Sequence, residues 1–141
     1  RSWDHCLILV ETGGLRFLHW GDNRPDPPEN VWQALGQIDV VLVPVDSSQH
    51  VMGYAAVESV IARLQPKAVV PHHYYIWDVV QRQSTLQTAD WWVSQQPDAV
   101  WLDDPAVTMT RERLAGMERR VHYFGPHVAF DPKAWREAAA D

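Results

Sequence analysis

Residues 39–75 read DVVLVPVDSSQHVMGYAAVESVIARLQPKAVVPHHYY. DVVLVP at 39–44 is a continuous apolar run, the mark of a strand buried on both faces. DSSQHVMG at 46–53 is a polar loop. YAAVESVIARL then places Val57, Val60, Ile61 and Leu64 at helical spacing, and Pro66 closes that helix. AVVP at 68–71 is a second buried strand. Strand, helix and strand make one β-α-β unit, which predicts a parallel pair joined by a right-handed crossover.

Upstream, CLILVET is apolar and β-rich, and Gly13-Gly14 is a two-residue hairpin signal. LRFLHW alternates Leu15, Phe17 and His19 against Arg16, Leu18 and Trp20, so residues 5–20 read as an antiparallel hairpin. DNRPDPPEN at 22–30 carries three prolines and reads as a loop. Asn30 is placed to cap a short helix, VWQALG, ended by Gly36. Downstream, TLQTADWWVSQQ reads as a helix, DAVWL as a strand and VTMT as another. ERLAGMERRVHYF fits helix or strand, and the last fifteen residues read as a terminal helix or tail. There is no repeat, low-complexity tract or interdomain linker. The expected fold class is α/β, a mixed sheet with outer helices, in one domain spanning 1–141.

The bulk numbers narrow the function. The chain has 141 residues, 46% of them hydrophobic, and a net charge of −6. That composition suits a globular domain with a real core. With no lysine or arginine run, neither nucleic acid nor an anionic membrane is expected as the main partner. A single cysteine, Cys6, excludes an internal disulfide. The apolar runs are too short to span a bilayer, and a cytoplasmic location is the expectation. The chain opens on Arg1 and runs at once into HCLILVET, which reads as a start inside a longer protein.

Ligand sites in parallel α/β sheets form beyond the carboxyl ends of the strands. Three loops leave such ends or the neighbouring hairpin end. The first carries His19, Asp22 and Asn23. The second carries Asp46, Ser47, Ser48 and His50. The third carries His72, His73, Tyr74 and Tyr75. Carboxylate with imidazole is ligand chemistry for borderline divalent metals: zinc first, with manganese or iron as alternatives.

In this order, LHWGD, IDVVLVPVD, a helix and LQPKAVVPHHY resemble the metallo-β-lactamase fold superfamily. Its branch of UlaG-like metal-dependent hydrolases is the nearest in pattern. In that family a strand ends in His-x-Gly-Asp, and its aspartate bridges two metals. A later strand ends in Pro-x-His-Tyr, and its histidine binds the second metal. The resemblance covers roughly residues 5–75. It implies Asp22 as the bridging carboxylate and His73 as the late histidine ligand, with His72 as the rival at the family's variable position. It also implies metal-assisted hydrolysis of an ester, lactone, amide or phosphoester by a hydroxide shared between two ions. The family's His-x-His-x-Asp-His motif and its next histidine ligand are absent. The chain therefore resembles the C-terminal half of an αβ/βα sandwich, and the metal site is incomplete without upstream residues. PVDSSQH replaces a small-residue turn found in many relatives, so Asp46 and His50 become substrate contacts or groups that orient a ligand.

Each residue also has a plainer reading. Asp22 is a turn aspartate after glycine, and His73 a hydrogen-bonded histidine at a strand end. His19 packs beside the Gly-Asp turn and supports it. Asp46 and His50 cap their own loop. His5, His122 and His127 are structural or surface residues. Trp91, Trp92 and Trp101 belong to the core, and Cys6 lies inert in a buried strand. The leading expectation is a portion of a metal-dependent hydrolase acting on a small molecule. The alternative is a non-catalytic α/β module for interaction or oligomerisation that has lost its metal site. A half-sandwich exposes an apolar face, so pairing with the missing half or with a second copy is expected.

Overall fold

The computed structural model describes residues 6–48 and 51–129, together with 131, 133 and 137. His5, His50 and most of the tail lie outside the described residues. Strand β1 (Ile8–Thr12) turns through Gly13 and Gly14 into β2 (Leu15–His19). Both glycines have positive φ, +58° and +71°. That is the backbone of the hairpin turn whose twist matches the strands, and side chains resist it.

Helix α1 (Glu29–Leu35), strand β3 (Val40–Pro44), helix α2 (Tyr54–Leu64) and strand β4 (Ala68–His72) follow. The second half holds α3 (Trp77–Val80), α4 (Asp90–Ser94), β5 (Val100–Trp101), α5 (Arg111–Leu114) and β6 (Arg120–Tyr123). The sheet runs β1-β2-β3-β4-β6-β5. Only β1 and β2 are antiparallel; every other neighbouring pair is parallel. This is the mixed α/β sheet expected from the sequence. The carboxyl ends of β2, β3 and β4 lie side by side, in the register His19–Leu42 and Pro44–His72.

The two faces of the sheet are covered unequally. On one, Leu18, Val41, Val43, Val69 and Val121 pack against Leu35 of α1, the apolar side of α2, and Trp92 and Val93 of α4. On the other, Leu15, Val40, Ala68 and Val70 meet Leu114, with Met109, Met117 and Phe124 around them. Strand pairing puts Ile8 opposite His19 and Val10 opposite Phe17 on this second face, where they are 54% and 48% exposed. Among the described residues no helix is long and apolar enough to cross a membrane.

Several local expectations are corrected. Asn30 lies inside α1, whose N-cap is Pro28. TLQTADWWVSQQ forms helix only over Asp90–Ser94, and VTMT forms no strand. ERLAGMERRVHYF divides into α5 and β6. Trp92 is core, but Trp91 and Trp101 are 60% and 50% exposed. Trp91 lies about 100° round helix α4 from buried Trp92, and Trp101 points to the opposite side of its strand from Val100. Cys6 precedes β1 and is exposed. His122 is structural: it is buried, and its Nδ1 lies 3.2 Å from the Arg120 carbonyl.

Burial lowers the pKa of His122, with nearby Arg113 and Arg120 acting in the same direction. The unfolded chain therefore binds that proton more readily than the folded one. The stabilising contribution is complete above about pH 6.5 and is lost as pH falls below it. Urea midpoints are expected to drop between pH 7 and about pH 5, and His122→Leu to make the drop smaller. An identical drop in the variant contradicts this assignment.

Candidate metal centre

The first strand tip is built by a left-handed glycine. Gly21 has φ +62°, which turns the chain out of β2 and projects Asp22 from the end of the sheet. His19 Nδ1 accepts the Gly21 amide at 3.0 Å. The Asn23 amide donates to the carbonyls of Trp20 and Cys6, and Trp20 Nε1 donates to the Asn23 carbonyl. Trp20 itself is fully buried. Asp22 thus leaves a turn anchored in the core while its own side chain stays 63% exposed.

The second tip carries a buried carboxylate. Asp46 is 0% exposed. Its Oδ1 accepts the Ser48 amide at 3.1 Å and its Oδ2 accepts the Ser48 hydroxyl at 2.6 Å. Ser47 between them has φ +51°. The loop is further pinned because the Gln87 amide donates to the Asp46 carbonyl at 2.8 Å.

The third tip bends the same way. His73 follows β4 with φ +58°, a conformation that costs an ordinary side chain about 1–2 kcal/mol. The bend brings His73 Nδ1 to 3.2 Å from Asp46 Oδ2 and His73 Nε2 to 3.7 Å from Asp22 Oδ2. One imidazole therefore lies between two carboxylates from different strand tips. Each of the three tips turns through one residue of left-handed backbone, Gly21, Ser47 and His73.

His72 points elsewhere. Its ring stacks on His19 with centroids 4.5 Å apart. Its Nε2 is buried and has no hydrogen-bond partner among the described residues. Burial, with the neighbouring His19 and His73 imidazoles, lowers its pKa to about 4, so this ring is neutral at pH 7. Of the sequence candidates, then, Asp22, Asp46 and His73 converge, His19 and His72 stack beside them, and His50 lies outside the described residues. Ser48 is the residue whose part was missed. The signal was the Asp-x-Ser spacing, in which an aspartate side chain accepts a backbone amide two residues on.

The donor chemistry suits a divalent ion. An imidazole nitrogen and a carboxylate oxygen at 3.7 Å are too far apart for a hydrogen bond. Two ligands of a tetrahedral zinc, each about 2.0–2.1 Å from it, lie roughly 3.3 Å apart. The count falls short of a full site, however. Among the described residues no group of three or more His, Cys, Asp or Glu side chains is placed to hold a metal. Asp46 is engaged by Ser48 and faces Nδ1, which leaves Asp22 and His73, fewer than the three or four ligands of a zinc site. A cleft of about 490 Å³, lined by Ile61, Pro66, Met117 and Arg119, lies at the amino ends of β4 and β6. It is at the opposite pole of the sheet from these residues.

Known proteins resemble this chain in sequence and in fold. A family model described as a beta-lactamase superfamily domain matches residues 4–73. A metal-dependent hydrolase of the UPF0173 group from Natranaerobius thermophilus is 32% identical over 77 residues, covering 53% of this chain and 33% of that protein. The crystal structure of a Thermotoga maritima protein, assigned to the Zn-dependent hydrolases of the metallo-β-lactamase superfamily, superposes with a TM-score of 0.69 at 21% identity. The match covers 83% of this chain and 56% of that one. The chain thus spans about a third of the curated relative and little more than half of the solved structure. Together these findings support membership of the metallo-β-lactamase superfamily.

The Asp22 turn has a specific weak point. A Cβ at Gly21 would lie 3.2 Å from Asn23 Nδ2 and would force a side chain into left-handed backbone. Gly21→Ala is expected to lower unfolding stability in urea by about 1–2 kcal/mol. An unchanged midpoint would show that the turn does not require glycine.

Proposed function

We propose that the chain is the C-terminal portion of a metal-dependent hydrolase of the UlaG-like type. It acts on a small ester, lactone, amide or phosphoester. One observation carries the reading: an imidazole nitrogen and a carboxylate oxygen from separate strand tips converge to 3.7 Å. Asp22 and His73 hold a divalent metal, zinc by the borderline character of the donors and manganese or iron by the same ligand types. Segments beyond this chain supply the other ligands. A metal held there would supply Lewis-acid chemistry, polarising the scissile bond and lowering the pKa of water. The chain's own part is placement. Gly21 and His19 fix the turn that presents Asp22, the left-handed bend at His73 presents the imidazole, and the exposure of Asp22 leaves room for substrate to approach.

A second reading has its own support in the unevenly covered sheet. Ile8 and Val10 are large, apolar and about half exposed on the face opposite α2. A module that uses this face to pair with another polypeptide, and does no chemistry, needs no further metal ligands. Light scattering on the isolated chain is expected to show a dimer, or a stable complex once the remaining half is supplied. A monodisperse monomer that binds neither contradicts both the half-domain reading and the pairing module.

Metal binding separates the two. In the full-length protein, Asp22→Asn and His73→Asn are expected to weaken zinc binding, read by titration and by metal content after dialysis. The loss should exceed the roughly 10–100-fold cost of removing a supporting partner. Asparagine tolerates left-handed backbone, and its amide can donate to Asp46. His73→Asn should therefore keep its unfolding midpoint within about 1 kcal/mol of the parent. Equal metal content in parent and variants removes the basis for the hydrolase.

A further inference from the structure

Asp46 is the residue whose chemistry the metal site does not use directly. It is fully buried, and a carboxylate so placed must be compensated by donors. Ser48 supplies two of them, through its amide and its hydroxyl. A further polar atom, His73 Nδ1, lies 3.2 Å from Oδ2. A carboxylate only accepts, so the hydrogen bond requires the ring proton to sit on Nδ1. A neutral imidazole carries one such proton. Nε2 is then left with its lone pair, on the side of the ring that faces Asp22.

We infer that Asp46 is a positioning residue. It fixes His73 as the Nδ1–H tautomer and thereby keeps Nε2 free as an electron-pair donor towards a divalent cation. The inference rests on the metal-site reading above, but its central observable does not need the metal. The Ser47 bend and the Asp46–Ser48 contacts involve this chain's own atoms only. So does the tie between the Asp46 carbonyl and Gln87. The carboxylate is therefore held at one orientation, and the imidazole must adapt to it. This is the arrangement in which a carboxylate behind a histidine orients the ring and raises its basicity as a ligand.

Asp46→Asn is the decisive change. In that variant the side-chain carbonyl can still accept the Ser48 amide, which leaves the new NH₂ group facing Nδ1. An NH₂ group only donates, so Nδ1 must become the acceptor and the ring proton must move to Nε2. The cation-facing nitrogen is then blocked by its own hydrogen.

The test is long-range ¹H–¹⁵N correlation of the His73 ring in the metal-free full-length protein near pH 8, with zinc titration as a separate arm. The parent is expected to show the Nδ1–H tautomer, Ser48→Ala to retain it, and Asp46→Asn to switch to Nε2–H. Zinc affinity should fall about 10–100-fold in Asp46→Asn. An Nε2–H or doubly protonated ring in the parent overturns the inference, and so does an unswitched ring in Asp46→Asn. The parent spectrum decides the matter even if the variant fails to fold. A parent with the Nδ1–H tautomer that binds no zinc would leave the role of Asp46 standing and sink the hydrolase.

Discussion

His73 is held between two carboxylates, and the geometry of this end of the molecule depends on that placement. The bend that puts it there is left-handed, which no histidine adopts without cost. The contact with buried Asp46 on one side helps offset that cost. Asp46 in turn is held in place by Ser48, which wraps back onto both oxygens. Removing any one of these groups leaves another with an unmet requirement: a buried charge, a strained backbone or a ring free to turn. The result is an imidazole nitrogen and a carboxylate oxygen set 3.7 Å apart at the end of the sheet.

The β-α-β unit makes this possible. Parallel strands β3 and β4 end at the same level, so the loops after them leave the sheet side by side. Strand β2 runs parallel to β3, and its Gly-Asp turn joins the same edge. The strands beneath are apolar and mostly buried. The two faces of the sheet differ in cover, and that difference has a physical consequence. The face under α2 is closed by three helices, whereas the other keeps Ile8 and Val10 in water. Exposed apolar surface on a sheet face favours burial against another layer.

Elements with strong periodicity were legible in the sequence. The Val-rich run of β3, the spacing of Val57, Val60, Ile61 and Leu64 in α2, and the Gly13-Gly14 turn each carry their own signal. Weak segments were not. VTMT has β-branched residues but pairs with no strand, because neighbouring chain and not composition decides whether a ladder forms. Trp91 and Trp101 look like core by type, yet their side of the backbone faces solvent. Cys6 lies just before its strand instead of within it, so the apolar pattern misled by two residues.

The same division runs through the site. The sequence determined that carboxylates and imidazoles gather at strand ends, and that Gly-Asp and Pro-His-His-Tyr sit on loops after buried strands. Those are local facts, set by which backbone conformations each residue tolerates and by apolar periodicity. Only the tertiary structure decided that His73 and not His72 faces Asp22, since a left-handed bend of one residue redirects the ring. It alone decided that Asp46 turns inward to the same ring. Residues 27 apart are brought to hydrogen-bonding distance by strand register and crossover packing, and no local pattern in the chain encodes which strand tips meet.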